Sequence, residues 1–315
     1  MRRFALLLLL LPVASFGQSW PSKPVRIIVP YAPGGITDSS ARLVAPKIQE
    51  AIGQPVLVEN KLGAGGTIAT DYVAKSPPDG YTLLMGSAAP QTLLQFVQKL
   101  SYDGLKDFSP VTNINTFPIV LMVNPSVPAR DAKELIALAR AQPGKLSFAG
   151  AGGLTQFAGE IFKYMAGIDM LYVPYKGGAP AAAAAAAGDV QVTFANYSDA
   201  LSFMKSGKLR PLGMTSAKRF PQSPEVPTIA EAAVPGYQVE SWNGLFSPAG
   251  TPPDIVARLA AAVQAGYRDG VLRKRMQDMG AEPVGDSPVQ FRAFVEAEME
   301  KWSSFVKHSG IRIEQ

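Results

Sequence analysis

The residues best suited to chemistry in this chain lie in two glycine turns, residues 30–38 and residues 150–155. Each turn follows an apolar run and precedes an amphipathic one, which predicts a strand that passes through glycine into a helix start. Glycine lets a ligand approach the main chain, and the first amides of a helix have no acceptor within that helix. The chemistry predicted for both turns is the binding of a small anion.

Three residues of the first turn are the basis for the expected anion site. Gly34 and Gly35 are both expected to supply backbone freedom with positive φ. Asp38 is expected either to cap the helix or to contact the ligand, and it would accept a hydrogen bond from an amino or hydroxy acid. Many strand-to-helix turns carry two glycines for steric reasons alone, so the first turn by itself leaves both alternatives open. The same pattern in the second turn favours a binding role.

Catalysis has little support in the sequence. A nucleophile such as Ser87 or Thr155 would need a nearby base, and the single histidine, His308, is remote from both. Neither glycine turn has the Gly-Lys-Ser/Thr ending of a P-loop, and no Gly-x-Ser-x-Gly motif occurs. The absence of cysteine removes thiolate metal sites and disulfides. We predict no catalytic residue, metal or cofactor, and we keep an exported hydrolase as an alternative.

The segments around the two turns alternate between short apolar runs, typical of strands, and stretches with apolar residues at helical spacing. This alternation is typical of an α/β fold. The expected strands are residues 25–29, 56–59, 81–85, 146–149, 171–173, 190–194, 209–214 and 239–246. The first turn should lead into a helix over 38–52, kinked at Pro46. Residues 287–290 form a predicted capping box at the start of the last long helix.

The length of the chain predicts two domains, because roughly 300 mature residues exceed what one core usually holds. We expect residues 18–123 to begin domain 1, residues 124–234 to form domain 2, and residues 235–315 to return to domain 1. A chain that leaves a domain and returns crosses between domains twice. That wiring is typical of a hinged protein with a ligand cleft between its domains.

The N-terminus predicts export to the periplasm. Arg2 and Arg3 precede an apolar segment at 4–13 and then small residues, so residues 1–17 are interpreted as a signal peptide rather than a membrane span. The formal charge of +5 includes those two arginines. No helix face combines a basic stripe with aromatic residues, so we expect a small anion and no nucleic acid as partner.

A series of short motifs across essentially the whole mature chain resembles the Bug family, the substrate-binding receptors of tripartite tricarboxylate transporters. The motifs are residues 30–38, 53–60, 63–66, 78–84, 107–111, 173–177, 226–229, 242–245 and 248–252. The resemblance implies a type II two-domain periplasmic-binding-protein fold that closes on a small carboxylate. It also implies integral-membrane transporter subunits as partners of a monomeric receptor. A periplasmic sensor that presents the acid to a signalling partner stays an alternative.

The resemblance also implies which residues bind the ligand. By position they form two anion-binding turns, the floor of the cleft and its far wall: Tyr31, Gly34, Gly35, Ile36, Thr37, Asp38, Ser87, Ala88, Gln91, Gly152, Gly153, Leu154, Thr155, Tyr175 and Asn196. The second turn departs from the family pattern, since Gly153 and Leu154 replace the usual hydroxyls and Gln156 replaces a common histidine. Leu154 together with Tyr31 favours an apolar or aromatic acid.

Overall fold

The computed structural model describes residues 20–268 and 270–309, so the predicted signal peptide, residues 1–17, lies outside the described residues. The strands of the described part are β1 Val25–Val29, β2 Val56–Asn60, β3 Thr82–Ser87, β4 Phe108–Val123, β5 Ser147–Gly150, β6 Leu171–Pro174, β7 Val192–Asn196, β8 Arg210–Met214, β9 Glu240–Pro248 and β10 Glu282–Pro283. Its α-helices are α1 Ile36–Ile52, α2 Thr67–Ala74, α3 Ala132–Ala141, α4 Gly153–Ala166, α5 Gly178–Ala187, α6 Tyr197–Lys205, α7 Ile229–Ala232, α8 Pro253–Arg268, α9 Val271–Asp278 and α10 Pro288–Ser309. A π-helical turn, Ala89–Leu93, follows β3 directly.

The first sheet has the order β2-β1-β3-β9-β4-β10. Strands β1, β2 and β3 are parallel to one another, whereas β9 pairs antiparallel with β3 and with β4. Val25, Ile27 and Val29 of β1 pack with α1 and α8, while Ile28 faces the opposite side with α2. Burial on both faces explains why β1 is apolar at every position except the partly exposed Arg26.

The second sheet has the order β8-β4-β7-β5-β6, with β5 parallel to both β6 and β7. Strand β4 belongs to both sheets: its residues from Phe108 to Pro118 pair with β9, and those from Ile119 to Val123 pair with β7 and β8. The chain therefore changes sheet between Pro118 and Ile119 without leaving the extended conformation.

The predicted domain limits at 123/124 and 234/235 stay a prediction. Strand pairing changes sheet at 118/119, and the return strand β9 begins at Glu240. Helices α8 and α9 then pack against α1 in the core of the first sheet. A hinge at the two crossings, formed by β4 and β9, stays a prediction.

Most of the expected elements lie where the sequence pattern indicates them. Helix α1 begins two residues earlier than expected and continues through Pro46. The predicted capping box of α10 is formed, because Gln290 N donates to Ser287 Oγ at 3.3 Å and Ser287 N donates to Gln290 Oε1 at 3.0 Å. Within the described residues, no helix is both long and apolar enough to cross a bilayer.

Candidate functional site

The candidate site lies where the carboxyl ends of parallel strands meet loops and helix starts. In the first sheet, β1 ends at the turn before α1, and β3 ends at Ser87. In the second sheet, β5 and β6 end at the loops before α4 and α5, and β7 leads directly into α6. Carboxyl edges of this kind are the usual binding crevice of open α/β sheets.

The two glycines of the first turn have different backbone conformations. Gly34 has φ +88°, which an L side chain rarely adopts, whereas Gly35 has φ −71° and ψ 167° and is extended. The expectation that Gly35 needs positive φ is therefore wrong, and Gly34 alone carries that requirement. Among the described residues, none accepts a hydrogen bond from the backbone amides of Ile36 or Thr37. Those two amides at the start of α1 are available to an anion.

Asp38 is buried in a network of protein donors. Its carboxylate accepts hydrogen bonds from Gly34 N at 3.0 Å, Arg42 Nε at 2.9 Å and Asn60 Nδ2 at 2.8 Å. Burial by itself would raise the pKa of Asp38, but the hydrogen bonds from Arg42, Gly34 and Asn60 outweigh it and leave the pKa below its ordinary value. The network fixes the turn from inside the protein.

The remaining polar groups of this edge also bond to one another. Tyr31 Oη lies 2.9 Å from Ser87 Oγ and 3.4 Å from the carbonyl of Gly65. Burial raises the pKa of Tyr31, with a smaller opposing effect of the Ser87 hydrogen bond. Tyr31 is therefore a neutral hydrogen-bonding group at physiological pH.

The predicted floor of the cleft is the segment from Ser87 to Gln91. Ala88 is buried, and the fully buried Gln91 donates from Nε2 to the carbonyl of Gly104 at 2.5 Å. Gln91 Oε1 has no hydrogen-bond partner among the described residues. Gln91 thus ties this segment to the loop before β4.

The second turn is held by its own side chains. Thr155 Oγ1 accepts from Ala151 N at 2.9 Å and donates to the carbonyl of Gly152 at 3.0 Å, while Gly152 N donates to Tyr172 Oη at 3.0 Å. Gly152 and Gly153 both have positive φ. No described residue accepts from the amides of Gly153 or Leu154. The start of α4 therefore offers free amides in the same way as the start of α1.

The two carboxyl edges approach each other at Gly153 and Ala89. A β-carbon built on Gly153 would lie 3.4 Å from Ala89 Cβ. Leu154 is only 6% exposed and packs in the largest apolar cluster, which includes Ala88 and Ala89. Its side chain thus contributes to the contact between the edges, and any ligand contact of that side chain stays a prediction.

Tyr175 and Asn196 lie at the second edge. Tyr175 N donates to the carbonyl of Gly150 at 2.9 Å, which joins the β6 and β5 loops. Asn196 ends β7 and pairs with Ile119, where β4 changes sheet. Asn196 Nδ2 donates to Asp199 at 3.4 Å. The sequence singled out both predicted wall residues but gave no signal for Asp199.

A buried polar network connects the first turn to the strands that cross between the sheets. Thr37 Oγ1 donates to Asn243 Oδ1 at 2.9 Å, and Asn243 Nδ2 donates to Asn115 Oδ1 at 3.1 Å. Ser40 Oγ accepts from Asn115 Nδ2 at 2.8 Å. Asn243 belongs to a motif at 242–245 that the sequence did single out, whereas its polar partner in β4 was missed.

Two surface cavities lie outside this region. One of about 530 Å³ lies between the ends of α3 and α4, and one of about 500 Å³ lies beside β1 and α2. Lys163 in the first cavity pairs with Glu160 at 3.0 Å, and Lys75 in the second pairs with Asp71 at 2.6 Å. Lys61 of the second cavity lies over the ring of Tyr72, 4.5 Å from its centroid. Within the described residues, no group of three or more His, Cys, Asp and Glu side chains could hold a metal ion.

This chain is similar to known proteins both in sequence and in fold. Residues 40–311 match the sequence profile of the tripartite tricarboxylate transporter family receptor. Protein BugT of Bordetella pertussis is 35% identical over 300 residues, which cover 94% of this chain and 92% of BugT.

Three solved structures have closely similar folds. Rpa4515 of R. palustris with adipate has a TM-score of 0.87 and 38% identity, over 93% of this chain and 99% of that chain. MatC (Rpa3494) from Rhodopseudomonas palustris with bound malate has a TM-score of 0.84 and 34% identity, over 91% of this chain and 100% of that chain. The periplasmic binding protein BugD has a TM-score of 0.83 and 32% identity, over 94% of this chain and 100% of that chain. The expected α/β, two-domain periplasmic-binding-protein fold is confirmed.

Proposed function

The chain belongs to the tripartite tricarboxylate transporter family of receptors, and on that premise we propose that it is a periplasmic solute-binding protein for a small organic carboxylate. The acid is captured between the two domains and delivered to the membrane subunits of a tripartite tricarboxylate-type transporter. The observation that carries this proposal is the pair of glycine turns, whose free helix-start amides lie at strand ends that meet at Gly153 and Ala89.

Free amides suit a carboxylate because they supply positive potential without a charged side chain that must itself lose water. Each helix start contributes about 0.3–1 kcal/mol at a surface and up to ~2 kcal/mol when partly buried. The structures of Rpa4515 with adipate and of MatC with malate support carboxylates as the ligand class.

Within this proposal, the predicted site residues divide into two roles. The amides of Ile36, Thr37, Gly153 and Leu154 contact the carboxylate, with the hydroxyls of Tyr31 and Ser87 beside it. The side chains that already bond within the protein support the turns: Asp38, Gln91 and Thr155.

The same contacts argue against catalysis. Ser87 Oγ bonds with the Tyr31 hydroxyl, and Thr155 Oγ1 bonds with Ala151 N and the Gly152 carbonyl. The one histidine, His308, lies in the last turn of α10. Neither hydroxyl therefore has a general base beside it among the described residues.

A thermal-shift and calorimetric screen tests the binding proposal. The mature protein should bind one acid per chain from a panel of dicarboxylates, tricarboxylates, acidic amino acids and aromatic acids. If the folded protein binds none of these acids, the assignment is wrong. Reconstitution of the membrane subunits in vesicles then tests delivery, since uptake of the identified acid should require the receptor.

Localisation and oligomeric state have their own measurements. Mass spectrometry of the exported protein should show a chain that begins near Gln18, after removal of residues 1–17, in the periplasmic fraction. Light scattering should give the mass of a monomer. A cytoplasmic full-length chain would contradict the proposed location.

A further inference from the structure

The second carboxyl edge holds an acidic side chain that the proposed function does not yet use. Asp199 lies in the first turn of α6, three residues after Asn196 at the end of β7. A β-carbon built on Gly178, at the start of α5, would collide with the Asp199 carboxylate. The carboxylate therefore lies between the start of α5 and the start of α6, on the side of the sheet where the predicted wall residues Tyr175 and Asn196 follow β6 and end β7.

Apart from the helix starts of α5 and α6, the Asp199 carboxylate has few partners that compensate its charge. No lysine or arginine among the described residues lies within ion-pair distance of it, and its hydrogen bond from Asn196 Nδ2 is long, at 3.4 Å. The neighbouring Ser198 Oγ is buried and has no hydrogen-bond partner in the described part of the chain. Burial raises the pKa of Asp199, which Asn196 opposes only weakly. A carboxylate kept in such a place costs stability, and this is typical of a functional group.

A fixed negative charge at this wall discriminates between acids by their far ends. When one carboxylate of the ligand occupies the free amides, a second carboxylate at the other end would meet a like charge. An ammonium or hydroxyl group at that end would instead donate a hydrogen bond to Asp199. Like-charge juxtaposition is an established way in which a site rejects a competitor.

We infer that Asp199 is a specificity-determining residue, and that the ligand is a small acid whose far end carries an ammonium or hydroxyl donor rather than a second carboxylate. This inference rests on the proposed function and narrows its ligand class. It sets this chain apart from Rpa4515 and MatC, whose structures hold dicarboxylates.

Acids of matched length test the inference. Calorimetry at neutral pH compares adipate with 6-aminohexanoate and 6-hydroxyhexanoate, and succinate with 4-aminobutyrate and 4-hydroxybutyrate. At one chain length or both, the wild-type protein should bind the donor-ended acid at least about tenfold more tightly than the dicarboxylate. Asp199→Asn should reduce that preference by about tenfold or more, chiefly by improving dicarboxylate binding.

The control is Asp189→Asn. Asp189 is an exposed acid between α5 and β7, at the end of β7 opposite to Asn196, and its substitution removes the same net charge. It should leave the preference unchanged, and melting curves should show that both variants are folded. Equal or tighter binding of the dicarboxylates by the wild-type protein, or a preference that survives Asp199→Asn, overturns the inference. Binding by none of the six acids overturns it as well. The proposed function fails separately, only if the broader acid panel also gives no ligand.

Discussion

The two carboxyl edges of the molecule each carry an aspartate in the first turn of a helix, yet the two residues have opposite environments. Asp38 is 2% exposed and accepts three hydrogen bonds, from Gly34, Arg42 and Asn60. Asp199 is half-buried and accepts one long hydrogen bond, from Asn196. The pKa of Asp38 is lowered, since its hydrogen bonds outweigh burial, whereas burial raises the pKa of Asp199.

The difference shows that one residue type serves two purposes at the same place in the helix. A carboxylate whose donors all come from the protein holds its own turn in shape and has little capacity left for a ligand. A carboxylate whose donors are missing from the protein has that capacity, and the fold is less stable for keeping it. The count of protein donors is therefore a better guide to function here than position alone.

The comparison is tested most strongly by removing each carboxylate. Asp38→Ala should lower the free energy of unfolding by about 2–4 kcal/mol, because Gly34 N, Asn60 and Arg42 lose a shared buried acceptor. Asp199→Ala should change it by less than about 0.5 kcal/mol or increase it. Urea unfolding of both variants and the wild-type protein measures the difference. Equal losses would show that Asp199 is as well compensated as Asp38.

The glycines of the first turn give the next largest contrast. Gly34→Val forces a β-branched residue to φ +88° and should cost about 1–3 kcal/mol and weaken ligand binding. Gly35→Val should cost less, because Gly35 is extended and the nearest atom to an added β-carbon is the Ala32 carbonyl oxygen at 3.6 Å. Melting temperatures and ligand titrations of the pair measure both effects. A larger stability loss in Gly35→Val would contradict this account of the turn.

The acid dependence of stability should differ in sign between the two aspartates. At about pH 7.5, Asp199→Asn should melt above the wild-type protein, and the gap should close as pH falls through the raised pKa of Asp199. Asp38→Asn should melt below the wild-type protein at the same pH. That gap should persist into more acidic solution, because the pKa of Asp38 is lowered and its stabilisation disappears only as pH falls through that value. Melting curves from about pH 7.5 to about pH 3 distinguish the two patterns.

The smallest expected effect is a change in overall dimensions. If ligand brings the two edges together about β4 and β9, small-angle scattering should show a smaller radius of gyration with saturating ligand than without it. An unchanged radius of gyration would indicate a preformed pocket and would contradict the hinge motion. The proposed binding of a carboxylate would not be affected.

Local pattern was sufficient to predict the turns and the elements around them. Strand β1 and the capping box of α10 were predicted because each depends on residues close together in the sequence. Strand β4 was not predicted, since Pro110, Asn113 and Pro118 interrupt its apolar pattern and its pairing with β9 shifts register twice.

The details of the site depended on distant partners. Arg42 and Asn60 surround Asp38 from α1 and from the end of β2, and only the folded structure brings Asn60 to the turn. The unequal conformations of Gly34 and Gly35 likewise arise from how the turn is held rather than from residue type. Asp199 was missed because an acid in a first helical turn is an ordinary capping residue until its lack of donors is known.

The sharing of β4 between the two sheets has a consequence for how such receptors can evolve. A fragment limited to residues 124–234 would contain β7 and β8 but not the strand between them, and it would expose two unpaired strand edges. The second domain is therefore not a portable module. Recombination that transfers the second domain between family members must therefore also transfer part of β4. Point substitution at the loop residues is the simpler route to a new ligand specificity.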